Sequence, residues 1–252
     1  MKVSSDFRIV DETNDYIVVD KPPFLLTHPT KPTTQPTLLN ELRKLLAFEM
    51  INAGQVSIIN RLDRETSGLV LAAKTSRMAR KLGLLMQKRR VTKEYLAVVW
   101  GWPDWKTKLI DAPLDRQGKH RNSAIWLKQA IHQSGAAAQT RFQAELCFSK
   151  TNPAATTEDK FALIRAIPLT GRTHQIRVHL SSLGHPVVGD KIYGPDEQLY
   201  LQFIERGWSS ELQQKLLLAR HALHSSRLAI EDVGDWTSPL PGDLTEFCSG
   251  GL

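Results

Sequence analysis

The chain has 252 residues, 41% of them hydrophobic, and a formal charge of +7. That size fills one domain or two closely packed subdomains, and the positive excess suits an anionic partner such as nucleic acid or an acidic membrane surface. Cys147 and Cys248 alone make neither a disulfide framework nor a cysteine-rich metal site. The first fifteen residues hold no apolar signal-peptide core, and no stretch approaches the ~20 apolar residues that cross a bilayer; a soluble, cytoplasmic protein is expected.

In chain order, Tyr16-Ile17-Val18-Val19 predicts a short strand ending at Lys21-Pro22-Pro23. Residues 22–36 hold five of the thirteen prolines, which predicts an ordered loop or extended arm. Thr37 is placed to cap a helix with Leu38, Leu42, Leu45 and Leu46 on one face and an end near Gly54. Leu69-Val70-Leu71 predicts a strand. Thr75 or Ser76 then caps a second helix that buries Met78, Leu82 and Leu85. It ends in Lys88-Arg89-Arg90, where cations suit the negative end of the helix dipole. Residues 94–100 read as a strand with Tyr95 on the face opposite Leu96, Val98 and Trp100.

Residues 101–138, with scattered Pro, Gly, Lys and Arg, give no clear element. Residues 141–148 alternate, with Phe142, Ala144, Leu146 and Phe148 on one face. A hairpin loop over residues 151–159 leads to a strand at 160–169. Thr170-Gly171 turns into a helix with an apolar stripe of Ile176, Leu180 and Leu183, and His174, Arg177 and Ser181 on a polar face. Gly184 is placed to end it. Residues 210–219 predict a further helix and 222–231 a late strand. Strands outnumber helices and do not alternate with them one for one, so the expectation is an α+β fold with a mostly antiparallel, mixed central sheet.

The densest chemistry lies in Asn60-Arg61-Leu62-Asp63-Arg64-Glu65-Thr66-Ser67-Gly68-Leu69. Two arginines flank one carboxylate, and a Thr-Ser-Gly turn with a strand behind it supplies a rigid frame. Nearby positive charge favours the ionised carboxylate, which is then a nucleophile or base and not an acid. Taken alone, the run also fits a surface Arg-Asp-Arg ion pair.

This run resembles the active-site motif of the RluA-type pseudouridine synthases, which usually read His-Arg-Leu-Asp-x-x-Thr-Ser-Gly. Three further segments resemble the same family in the family's order. They are Ile17-Val18-Val19-Asp20-Lys21-Pro22-Pro23 with His28-Pro29, then Lys93-Glu94-Tyr95-Leu96-Ala97-Val98-Val99-Trp100-Gly101, then Thr170-Gly171-Arg172-Thr173-His174-Gln175-Ile176-Arg177-Val178-His179-Leu180 running on to Gly184-His185-Pro186-Val187-Val188-Gly189-Asp190. The resemblance spans about residues 8 to 230. It implies a single catalytic domain over residues 1–252, its central sheet split into two subdomains around a catalytic cleft. The N-terminal RNA-binding module that many relatives carry is expected to be absent, since the motifs begin about ten residues from Met1.

What the resemblance implies for the site is an isomerisation of uridine in ribosomal or transfer RNA by a monomer without cofactor or metal. Asp63 would act at the sugar, by covalent attack or by stabilising a glycal-like intermediate. Arg177 would keep Asp63 ionised, and Tyr95 would stack on the base and handle a proton. The target must flip out of its helix, and Arg61 would fill the vacated stack. Arg64, Lys21, His28, Arg172, His174, Lys88, Arg89, Arg90 and Lys93 are candidate RNA contacts; Lys106, Lys108, Arg116, Lys119 and Arg121 form a second possible basic strip. Asn60, Thr66, Ser67 and Gly68 would support the turn. Asn60 departs from the family's usual His; it cannot titrate near neutral pH, so a structural role is expected of it. Two other readings share these features, a non-catalytic RNA-binding or ribosome-assembly protein on the same fold and a nucleic-acid glycosylase.

Overall fold

The computed structural model describes residues 6–29, 35–52, 54–152 and 157–249. Part of the expected proline-rich arm (30–34) and the tip of the expected hairpin (153–156) lie outside the described residues. The elements are β1 (Arg8–Glu12), β2 (Tyr16–Lys21), α1 (Leu38–Leu45), α2 (Ala47–Ile51), β3 (Ser57–Ile58), β4 (Ser67–Ala73), α3 (Ser76–Gln87) and β5 (Val91–Trp100). They continue with β6 (Thr107–Asp111), β7 (Leu114–Arg116), β8 (Gln129–Ile131), β9 (Gln139–Asn152), β10 (Thr157–Pro168), α4 (Gln175–Ser182), α5 (Gln198–Arg206) and α6 (Ser210–Leu216). The chain ends with β11 (Leu223–Ile230), β12 (Gly234–Thr237) and α7 (Gly242–Ser249). The fold is α+β with mixed sheet pairing, as expected, and it divides into two compact units. One comprises Met1–Lys93 with His224–Pro239, the other Glu94–Leu223 with Leu240–Leu252. No helix among the described residues is long and apolar enough to cross a membrane.

In the first unit the strands run β1-β2-β4-β11, with β3 on β4 and β12 on β11. The β4–β11 pair is parallel and the others antiparallel. Every residue of β4 is buried, which is why its sequence is an unbroken apolar run and not an alternating one. Thr75 caps α3 by accepting from the Met78 N–H (3.2 Å). The helix then packs Leu82, Met78 and Leu85 on a core of Val18, Leu69, Leu71, Leu228, Ile230 and Trp236. The helix expected from Leu38 to near Gly54 is two helices, broken at Leu46. Leu38, Leu42 and Leu46 are buried, but Leu45 is exposed. A ridge of residues four apart drifts round a helix, and it leaves Leu45 at its margin.

In the second unit the strands run β5-β10-β9-β6, all antiparallel, and β7 pairs with β8 in a separate hairpin. Strands β9 and β10 pair out to Asn152 and Thr157, so the expected loop over 151–159 is mostly strand. Its polar residues carry no apolar alternation for a periodicity argument to find. The segment 101–138 holds three strands that its mixed composition hid. Helix α4 is buried from Gln175 through Leu180, polar face included. Helices α5 and α6 share a small core of Leu199, Leu212 and Leu216 with Phe203 and Trp208; α6 is shorter than expected, and α5 and α7 went unpredicted.

Candidate active site

Asp63 heads a tight turn in the first unit, closed by the Thr66 N–H donating to the Asp63 carbonyl (3.1 Å). Asp63 is half-buried, whereas Arg61 and Arg64 on either side of it in sequence are exposed. Three side chains hold the approach to this turn. Buried Asn60 donates from Nδ2 to the Leu69 carbonyl (3.0 Å) and accepts at Oδ1 from the Leu71 N–H (2.8 Å). One amide thereby ties the loop to β4 through a donor and an acceptor at once. The Thr27 hydroxyl donates to the Leu62 carbonyl (2.8 Å) and accepts from the Leu62 N–H (3.2 Å). Lys21 is wholly buried and its ammonium donates to the carbonyls of Pro22 (2.8 Å), Leu25 (2.9 Å) and Arg64 (3.4 Å). A buried cation is tolerated only when its donors are satisfied, and these bonds draw the loop around it.

The far side of the turn is fixed against β11. The His224 ring donates from Nε2 to the Ser238 carbonyl (3.3 Å), so its Nδ1 accepts from the Ser67 hydroxyl (3.0 Å). Gly68 has φ +109°, and a Cβ there would lie 2.3 Å from the Ser225 carbonyl oxygen. The parallel pairing of Gly68 with Ser225 leaves no room for a side chain. On the outer face Arg61 donates to His28 Nε2 (3.1 Å), and Arg64 Nε donates to the Phe24 carbonyl (3.4 Å).

The second unit builds its own buried charge. Arg177 on α4 makes a two-pronged pair with Asp190, Nε to Oδ2 at 2.6 Å and Nη2 to Oδ1 at 2.9 Å. Both side chains are buried, at 5% and 0% exposure. Burial alone would raise the Asp190 pKa, but the Arg177 charge and hydrogen bonds, the His221 ring and the Tyr193 N–H hold it well below the usual carboxylate range. Backbone N–H groups of Ile192 (2.9 Å) and Tyr193 (3.1 Å) complete the Asp190 shell, and the Arg177 guanidinium lies 5.0 Å from the Tyr193 ring centre. His174, the left-handed cap residue of α4 (φ 56°), bonds through Nδ1 to the Tyr193 hydroxyl at 2.7 Å. Buried Gln175 gathers the preceding turn, accepting from the Thr170 hydroxyl (2.8 Å) and the Arg172 N–H (3.0 Å). Tyr95 is buried on β5, paired with Ala166, and its neighbour Glu94 accepts from Arg165 (2.7 Å).

The structure brings Asn60, Arg61, Asp63, Arg64, Thr66, Ser67, Gly68, Lys21 and His28 together in one unit, and Arg172, His174 and Arg177 at the start of α4 in the other. Lys21 corrects an expectation: a fully buried ammonium on carbonyl oxygens braces the loop and is no phosphate contact. Arg177, expected on a polar helix face as the cation that keeps Asp63 ionised, is buried, and its two-pronged ion pair is with Asp190. Asp190 lies in the quoted motif, but thirteen residues of separation gave no periodic signal. Thr27 and His224 were also missed, and the 157-residue gap from Ser67 to His224 has no local signature. Lys88 and Arg89 are exposed beyond α3, Arg90 is exposed and paired with Glu231 (2.6 Å), and burial pushes the half-buried Lys93 ammonium down from the ordinary lysine range.

The pattern of the RNA pseudouridylate synthase family matches residues 15–182, from β2 to the end of α4. The chain belongs to that family. It is 34% identical over 245 residues to ribosomal large subunit pseudouridine synthase D of Nitrosomonas europaea, across 94% of this chain and 63% of that protein. It is 32% identical over 247 residues to the protein of the same name from Pasteurella multocida, across 95% of this chain and 69% of the relative. The chain thus spans about two thirds of the length of these relatives. The solved structure of human RNA pseudouridylate synthase domain containing 1 matches with a TM-score of 0.68 at 26% identity, over 96% of this chain and 86% of that one.

Proposed function

We propose that this chain is an RNA pseudouridine synthase, acting on uridines of ribosomal RNA as its relatives' names describe, in the cytoplasm and as a monomer. The observation that carries the reading is the bracing of the Asp63 turn. Asn60, Thr27, Lys21 and the Ser67–His224 pair fix a half-buried carboxylate from both sides, which is far more order than a surface ion pair needs. Isomerisation breaks the bond from N1 of the base to C1′ of the sugar, turns the base and joins C5 to C1′. The C5 hydrogen is lost and N1 gains a proton, so no external reductant or phosphate donor enters. Asp63 is the carboxylate for C1′, covalently or by charge, with Tyr95 as the base-stacking group and Arg177 as a cation in the site. Arg61 takes the flipping role, and Arg64, His28, Arg172, His174, Lys88, Arg89, Arg90 and Lys93 supply contacts to the RNA.

The test uses RNA tritiated at C5 of uridine. The wild type should release tritium and leave the RNA mass otherwise unchanged. Asp63→Asn should release none while its affinity for the same RNA stays within about twofold, a difference of ~0.4 kcal/mol. Loss of whole bases would indicate a glycosylase, and binding without release by the wild type would indicate a non-catalytic RNA-binding protein.

A further inference from the structure

The loop between β7 and β8 carries chemistry that the isomerisation site does not use. It opens with a 3-10 turn at Gln117–Lys119, and the Gln117 N–H donates to the Lys128 carbonyl (2.8 Å), which closes it. Trp126 on this loop is 72% exposed, although exposing an indole to water is unfavourable. The Arg116 guanidinium lies over the Trp126 ring, 3.6 Å from its centre, and the buried Arg116 Nε has no hydrogen-bond partner. The ring is what Arg116 rests on, an arrangement that holds a flat aromatic surface up to solvent. A groove of about 760 Å³ is lined by residues of this loop and of β8, with Ser181 and Ser182 of α4 among its other walls. The rings of His120 and His132 stack there at 3.5 Å and 10°. Arg121, exposed at the groove, is aimed by one hydrogen bond to buried Gln117 (2.8 Å). Of the four cations of this hairpin, Lys119 is paired with Asp115 and Lys128 with Glu197, which lines the groove together with Asp196; Arg116 and Arg121 add positive charge beyond those pairs.

We propose that this hairpin is a specificity surface for single-stranded RNA, with one base stacked on Trp126 and a phosphate on Arg121. An exposed aromatic platform among cations is the arrangement that binds single strands through stacking and charge. A local excess of positive charge favours RNA over a protein partner. The inference rests on RNA as the substrate and names a second place where that substrate is held.

The experiment titrates a stem-loop RNA with single-stranded flanks against the full chain and its Trp126→Ala, Trp126→Phe and Arg121→Ala forms. Trp126→Ala should weaken binding about tenfold, raise KM by a similar factor, and leave thermal melting near that of the wild type. Trp126→Phe should recover most of the affinity, and Arg121→Ala should weaken binding and lessen its salt dependence. RNA should also quench tryptophan emission in the wild type but far less in Trp126→Phe. Unchanged affinity in Trp126→Ala, or equal quenching in the two forms, would overturn the proposal. Tight, Trp126-dependent binding with no pseudouridine formed would support this surface while refuting the enzymatic reading.

Discussion

Asp190 shows how much one residue can depend on its setting. Wholly buried, it keeps its charge because Arg177, the His221 ring and two backbone N–H groups surround it. A carboxyl whose folded pKa is depressed contributes stability that is fully present above the unfolded value, ~3.9, and is lost as pH falls toward the folded one. The Asp190 contribution should therefore stay nearly constant from pH 7 to about pH 5 and fall away below the ordinary aspartate range. Asp190→Asn takes from Arg177 its buried carboxylate and should cost ~3–5 kcal/mol at pH 7, with the gap to wild type closing toward pH 3. Melting curves at the two pH values check this; equal melting temperatures at pH 7 would mean that the pair contributes nothing. His179 adds to the acid sensitivity with the same sign. Burial lowers its pKa, its Nε2 donates to the Ala112 carbonyl (3.1 Å) and its Nδ1 accepts from the Thr140 hydroxyl (2.9 Å), so protonation below about pH 6.5 works against the fold.

At the scale of elements, the Asp63 turn depends on the strand that follows it. Strand β4 is buried throughout and paired with β2, β3 and β11, so it acts as the anvil for Asn60, whose two bonds land on Leu69 and Leu71. Gly68 is where the turn meets β11. In Gly68→Ala the new methyl would sit 2.3 Å from the Ser225 carbonyl oxygen at a φ of +109°, and every atom it meets is Ser225 backbone, which does not give way cheaply. A loss of at least ~3 kcal/mol is expected from strain and overpacking together, or failure to fold. Urea denaturation measures it, and a variant within about 1 kcal/mol of the wild type would mean that the β4–β11 pairing is looser than its register indicates. The expected helix of residues 38–54 also has its lesson here. Its leucine spacing announced a helix, but the break at Leu46, a buried residue with φ −97° and ψ 29°, has no signal in that spacing.

At the scale of the whole molecule, the chain crosses from one compact unit to the other at Lys93, Leu223 and Pro239. The first unit is therefore discontinuous: β11 and β12 arrive more than 120 residues after α3. Residues 1–93 alone would lack Leu228, Ile230 and Trp236 from the core and would leave the β4 edge unpaired. Circular dichroism should show no cooperative thermal transition for that fragment under conditions where the full chain melts sharply. A cooperative transition in the fragment would show that β1 to α3 suffice as a folding unit.

The sequence by itself determined the local elements with strong signals: the β2 and β4 runs, the Thr37 and Thr75 caps, the α4 helix and the Gly184 stop. Its ordered motifs also identified the family and singled out Asp63, Tyr95 and Arg177. These are legible because periodicity, caps and motif order operate over a few neighbouring residues. Only the tertiary structure decided that Lys21 is a buried brace, that Asn60 clamps β4, that Arg177 pairs with Asp190, and that Ser67 answers to His224. Those outcomes depend on which distant backbone and side-chain groups share one dry volume. A polar side chain that would be solvated on a surface must find a partner there, and the identity of that partner is set by the packing of strands far apart in the chain.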